Sequence, residues 1–230
     1  MMDFDPKLYE NVAINDADVR NIVLSYLVHN CFKETAEAFI SCTGMNQPAN
    51  YLVDMDLRKS IFIFAMEGNA LKAMELTEHL TPNLLEEEND LRFDLLSLHF
   101  VDLLSSRKFT EALEFAQTKL APFGKSPKYM QKLEDFMALL AYDEPDCSPM
   151  FHLMRSDYRQ TIADNLNQAI LARVNLPSYS SMETLIQQTT VVTQCLHQEL
   201  GKWRNQRVVG RGNTGRALVS DHYQSLVAEN

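Results

Sequence analysis

Apolar positions recur along most of this chain every three or four residues, the rhythm of helices, with no clear alternation by twos. After Asn15-Asp16, both good helix caps, Val19, Ile22, Val23, Tyr26 and Leu27 form one stripe, and His29-Asn30 is a plausible stop. A second helix carries Phe32, Ala36, Phe39 and Ile40 and ends before Gly44. Two helices of this size cannot bury their stripes against each other alone, so something else must cover them. A third helix is predicted from about Tyr51 to Glu67, closed by Gly68, and a fourth from Ala70 to Leu80, capped by Asn69 and stopped by Pro82. The fifth spans about Asp90 to Ser106, with Leu91, Leu95, Leu98, Phe100, Val101 and Leu104 in a wide stripe. Thr110 caps a sixth, from Glu111 to Ala121. Ser126-Pro127 opens a seventh, running through Tyr142. Ser148-Pro149 opens an eighth, broken near Ser156 and ending at Arg173. Ser180-x-x-Glu183 is a capping box for a ninth helix, to about Trp203, with Leu185, Thr189, Val192, Leu196 and Trp203 near one heptad-like face.

The eight prolines all fall outside these periodic stretches. A proline inside a helix costs about 3 kcal/mol, so their placement supports an all-α fold. Ala73-Met74-Glu75-Leu76 and Ala112-Leu113-Glu114-Phe115, 39 residues apart, each follow a cap residue. Repeated helical hairpins would produce that echo, and so would chance similarity of two amphipathic helices.

Charge narrows the partners. The net charge is −10, with −12 over residues 1–153 and +2 over residues 154–230. That balance argues against nucleic acid, whose binders must neutralise phosphates. Apolar runs such as Ile61 to Met66 and Phe136 to Tyr142 are far short of the roughly 18 residues of a membrane span. The acidic start, Met1-Met2-Asp3-Phe4-Asp5-Pro6, has no apolar core of a secretory signal. The expectation is an intracellular protein, cytoplasmic and nuclear, with no membrane partner. Residues 204–230, with Gly210, Gly212 and Gly215 and four arginines, read as a disordered tail.

Candidate chemistry is thin. Cys31, Cys42, Cys147 and Cys195 match no metal-ligand spacing and read as small core hydrophobes. None of the six histidines forms HxxxH or HExxH, and there is no array for a RING finger. The run from Gly210 to Ala217 has the glycine spacing of a phosphate-binding loop. Arg216 stands where a lysine should reach the phosphates, and Ala217 where a hydroxyl should hold the metal. The acidic run Glu86-Glu87-Glu88-Asn89-Asp90 suits a solvated helix start. No catalytic residue, cofactor or metal is assigned. What remains is apolar stripes on helices, the material of protein association.

Those stripes carry a resemblance. Ile22-Val23-x-x-Tyr26-Leu27-Val28-x-x-x-Phe32-x-x-Thr35-Ala36-x-x-Phe39 resembles a LisH motif. Arg58-x-x-Ile61, Gly68, Ala73, Pro82-x-Leu84-Leu85, Asn89-x-Leu91-x-Phe93-x-Leu95, Phe100-x-x-Leu103 and Ala112 to Ala116 are similar to a CTLH domain. Phe136 to Tyr142, Pro145, Ser148-Pro149 and Leu166 to Leu171 are similar to a CRA region. The order of the three matches the LisH–CTLH–CRA family: the RanBPM-like proteins, here without room for a SPRY domain, and the scaffold subunit of the Gid/CTLH ubiquitin ligase.

The resemblance implies a LisH hairpin at 17–49 after an N-terminal extension at 1–16, then CTLH at 50–116 and CRA at 117–203, an array of antiparallel helices whose last long helix returns toward LisH. It implies a non-catalytic adaptor of a ubiquitin ligase, pairing with itself and with other LisH, CTLH or CRA proteins, including RING-bearing subunits, as a homo- or hetero-oligomer. The LisH interface would use Ile22, Val23, Tyr26, Leu27, Phe32 and Phe39. The CTLH/CRA interface would use Leu91, Phe93, Leu95, Leu98, Phe100, Leu103, Phe136 and Leu140. A LisH adaptor on the cytoskeleton without a ligase role is the competing reading, and a hydrolase with dispersed Cys and His a remote third. Family members usually carry glycine where Cys31 stands. A side chain there opposes a left-handed turn by about 1–2 kcal/mol, so either Asn30 takes that conformation or the turn differs.

Overall fold

The structure, a computed structural model, describes residues 13–46, 54–142, 144 and 147–210, with side chains as far as residue 198. It is all-α, and no strand occurs among the described residues. The start of the expected third helix at Tyr51, and the glycine-spaced run beyond Gly210, lie outside them.

Helix α1 (Asp16–His29) is capped by the Asn15 side chain, which accepts from the Ala17 amide at 3.0 Å. It turns into α2 (Lys33–Thr43) through Asn30, Cys31 and Phe32. Asn30 does not adopt the left-handed conformation; Cys31 does, at φ 58°. The Cys31 amide donates to Val28 O at 3.2 Å and the Phe32 amide to Leu27 O at 2.9 Å, the paired bonds of a Schellman ending. Arg107 and Asn175 close two later helices with the same pair of bonds, again at positive φ without glycine. Gly44 ends α2, also left-handed.

Helices α3 (Met55–Met66) and α4 (Ala70–Leu80) form a hairpin through Gly68, whose φ is 85°, and Asn69, which caps α4. A one-turn helix, α5 (Leu84–Glu87), precedes α6 (Asn89–Ser105). Helix α7 (Phe109–Phe115) follows, starting ahead of Thr110, so that Thr110 lies inside it and caps nothing. It widens into a π turn at Ala116–Leu120 and tightens into a 3₁₀ turn at Ala121–Lys125. Helix α8 (Pro127–Leu140) has Pro127 in its first turn. A 3₁₀ turn at Phe151–Met154 ends at Arg155, and α9 (Ser156–Arg173) begins there, at the expected break. Helix α10 (Ser181–Gly210) runs past Trp203, its expected end.

Two compact units result, Met1–Glu183 and Thr184–Asn230. In the first, α6 is the spine. Its apolar residues occupy two faces, and each face is buried against different neighbours. Leu91, Leu95 and Leu98 face one cluster, with Ile61 and Ala65 of α3, Ala70 and Ala73 of α4, and Ile162, Leu166 and Ile170 of α9. Phe93, Phe100, Val101 and Leu104 face another, with Ala112, Leu120, Phe136 and Leu139. Edge-on contacts of Phe136 with Phe93 and Phe100 knit α6 to α8. The α1–α2 hairpin has a far smaller core of its own, in which Leu24 and Ala36 are buried and Leu27, Val28, Phe39, Ile40 and Met45 pack around them.

Candidate interaction surfaces

The hairpin's small core follows from which residues turn inward. Leu24 lies off the stripe read from periodicity, yet it is the residue that α1 buries against Ala36. Consequently Val19, Tyr26 and Phe32 stay exposed, at 44%, 38% and 45%. Ile22, Val23, Leu27 and Phe39 are half-buried. The rings of Tyr26 and Phe32 approach to 6.3 Å between centroids, one from α1 and the other from the turn before α2. All six expected LisH-face residues therefore retain accessible surface, and Val19 extends the patch.

A polar node seats this hairpin on α3 and α9. The last carbonyls of a helix have no partner within it and carry the negative end of its dipole. Arg58 of α3, 3% exposed, meets those of α1. Its Nη2 donates to Val28 O at 3.1 Å, and its Nη1 to His29 O at 3.3 Å and to Asn167 Oδ1 at 2.9 Å. Asn167 returns a bond from Nδ2 to His29 O at 3.1 Å. Among the described residues no carboxylate lies within ion-pair reach of Arg58. Burial pulls its pKa down, and the carbonyl dipoles keep the guanidinium solvated. Exposed pairs at the rim, Lys33 with Asp56 and Lys59 with Glu34, contribute little beside it.

The node missed in the sequence had a signal. Arg58 sits three residues before Ile61 and seven before Ala65, on the face that α3 buries. A lone arginine on an apolar face calls for a buried acceptor.

The start of α10 rests on α1. The capping box forms as expected: the Ser180 amide donates to Glu183 Oε2 at 2.7 Å, and the Glu183 amide to Ser180 Oγ at 3.2 Å. The Ser181 amide donates to Ser25 Oγ of α1 at 3.0 Å. His29 Nε2 lies 3.7 Å from Glu183 Oε2.

The expected CTLH/CRA face is placed differently. Leu91, Phe93, Leu95, Leu98, Phe100, Leu103 and Phe136 are buried within the chain, and Leu140 is half-buried against the same core. The seven buried ones pack against the elements around α6, and Leu140 alone of the eight keeps part of its side chain accessible. Large apolar side chains exposed on neighbouring elements are instead Phe109 and Leu113 of α7, one turn apart, and Met130 of α8. Along α10, Leu185, Val192 and Leu196 of the heptad-like face are exposed, as are Ile186 and Val191; the Trp203 side chain lies outside the described residues.

The acidic run is divided between structure and solvent. Glu87 accepts both Arg173 guanidinium nitrogens, at 2.9 and 3.1 Å. Asp90 accepts from Lys128 and from Tyr129 Oη, and these bonds hold its carboxyl below the usual range. No cluster among the described residues could hold a metal, and Cys31 is buried, its thiol pushed up by that burial, while Cys42, Cys147 and Cys195 are exposed.

A family model described as "CTLH/CRA C-terminal to LisH motif domain" matches residues 54–197, from the start of α3 into α10. The chain belongs to the LisH–CTLH–CRA family. The "Glucose-induced degradation protein 8 homolog" of Nematostella vectensis is 35% identical over 156 residues, 67% of this chain and 69% of the relative. The "GID complex subunit 8" of Schizosaccharomyces pombe is 26% identical over 78% of this chain and 79% of its own. The "Ran-binding protein M homolog" of Arabidopsis thaliana is 26% identical over 79% of this chain and 44% of its own length. The CTLH/CRA match starts at residue 54, ahead of Arg58, and spans Asn167, so it includes the seat on which the hairpin rests.

Proposed function

We propose that this chain is a non-catalytic scaffold subunit of a GID/CTLH-type ubiquitin ligase. The observation that carries the proposal is the hairpin: its aromatic face is open while its other side is fixed to the body through Arg58, in a chain resembling GID-complex subunits along most of its length. A large apolar side chain contributes about 1.5–3 kcal/mol when fully buried, so a few of them suffice for a stable contact. The hairpin pairs with a second copy or with another LisH protein. The exposed face of α7 and α8 takes a further CTLH/CRA subunit, and ubiquitin transfer belongs to RING-bearing partners. The complex works in cytoplasm and nucleus.

Affinity purification of the chain from cells, with mass spectrometry, tests this. RING-bearing CTLH proteins should co-purify, and a Tyr26→Asp/Phe32→Asp variant should lose part of the set. Tubulin or motor proteins without any RING subunit would favour the cytoskeletal adaptor. Ubiquitin transfer by the purified chain with only E1 and E2 would refute the non-catalytic role.

A further inference from the structure

We propose that the cleft between α6, α8 and α9 binds an arginine side chain presented by a partner protein, with Asp94 as its anchor. The cleft measures about 270 Å³. That is just under the roughly 300–1,000 Å³ of a small-molecule site, a size for one long side chain rather than a cofactor. It opens where the two core clusters meet. Phe136 and Leu153 of one cluster, Ile162 of the other, and Tyr158, which packs against both, give it apolar walls. Asp94 brings a charge into those walls from the spine helix, with its side chain only 16% exposed.

Two oxygens lining the cleft are short of hydrogen-bond partners. Asp94 Oδ1 accepts from Lys132 Nζ at 3.1 Å, and among the described residues nothing donates to Asp94 Oδ2. The Tyr158 hydroxyl has no hydrogen-bond partner among the described residues either; burial, and then the charge of Asp94, push its pKa up. Buried polar atoms normally have their bonds made. Lys132 does not make up the deficit, for burial raises the pKa of Asp94 against the pull of that ammonium. Lys132 reaches in from the rim with its side chain 47% exposed. Asp135, also on α8, adds a second carboxylate, so two negative charges line the cleft against one positive. That balance favours a cation. A guanidinium suits the cleft better than an ammonium, because its planar fork spans two acceptors and stacks on aromatic walls. Free arginine would also bring an α-carboxylate, and the one cation lining the cleft is already engaged by Asp94. An arginine within a polypeptide carries no such group.

The test is a titration of the full chain with N-acetyl-arginine amide, followed by two-dimensional nuclear magnetic resonance. The expected result is saturable shifts of the Asp94, Asp135 and Tyr158 amides, absent with the citrulline analogue, which has nearly the same shape and no charge. Asp94→Asn keeps the shape of the anchor and should weaken binding by about tenfold or more, the size of one bond to a charged group. Lys132→Gln removes a competing cation and should tighten binding by about two- to fivefold, the size of an exposed charge pair. Circular dichroism of both variants confirms that they are folded, and the citrulline comparison needs no variant. Absence of saturable shifts, equal shifts with citrulline, or weaker binding in Lys132→Gln would each overturn the site. Tighter binding of free L-arginine than of the blocked amide would overturn the partner protein as its source.

Discussion

Replacing Arg58 with methionine should unseat the hairpin while leaving the body folded. The side chain makes three hydrogen bonds, to Val28 O, His29 O and Asn167 Oδ1. Two of these acceptors keep another donor in its absence: Val28 O retains the Cys31 amide, and His29 O retains Asn167 Nδ2. Asn167 Oδ1 loses the partner it has here. Bonds to a charged group contribute about 1.5–3 kcal/mol each. Part of that sum is offset by the cost of burying the guanidinium, which methionine does not incur. The net loss should be about 3 kcal/mol. It should fall on the contact between the hairpin and α3/α9, because the three bonds of Arg58 run to α1 and α9 and none runs to α6. Hydrogen exchange by mass spectrometry reads both sites. In the variant, amides of α1 and α2 should exchange about a hundredfold faster or more, at roughly 1.4 kcal/mol per factor of ten. Those of α6 should change little. Arg58→Lys should recover only part of the protection, since an ammonium cannot span three acceptors as the planar fork does. If Arg58→Met protects the hairpin as well as wild type does, the helix-end carbonyls are not what holds it.

Three further outcomes are expected. Tyr26→Asp/Phe32→Asp should weaken any association through the hairpin by about a thousandfold, several kcal/mol of burial lost, with helicity unchanged; light scattering beside far-UV circular dichroism checks it, and wholesale loss of helicity would show that both rings are core. Phe100→Ala should cost about 3–5 kcal/mol of stability, seen in denaturant unfolding, because Phe100 is fully buried on the spine; a loss below about 1 kcal/mol would contradict that placement. Cys31→Gly should stay within about 1 kcal/mol of wild type, since relief of the left-handed strain is offset by glycine's extra backbone entropy, whereas Cys31→Val should melt lower because a β-branched residue tolerates that conformation poorly.

Periodicity made the helices legible because burying one face fixes where apolar residues recur. It did not reveal which surface covers that face. Leu91, Leu95, Phe93 and Phe100 have the spacing of an exposed interface as much as of a core, and only the packing of α3, α4, α8 and α9 around α6 decides between them. The helix ends split by their chemistry. Asn15, Asn69 and the Ser180–Glu183 box were readable, because a side-chain acceptor near free amides is a local feature. The Schellman endings at Cys31, Arg107 and Asn175 were less so, because none carries the glycine that advertises one. Lys108, ahead of α7, offers no side-chain acceptor, whereas Thr110, which has the capping chemistry, lies inside the helix. The hairpin face was the most readable part of the site. Its inner side depended on Leu24, which the stripe had passed over.

Leu24 and Ala36 are too little core for α1 and α2 to stay paired alone. The aromatic patch thus exists as a shaped surface only after Arg58 and Asn167 have come together from positions 109 residues apart in the chain. A copy cut short before Asn167, or one in which α3 and α9 fail to pack, lacks that seat. A partner that recognised the patch would also be inspecting the chain's folding, and assembly through it would double as proofreading: a defective subunit would be left out because the contact that admits it could not form.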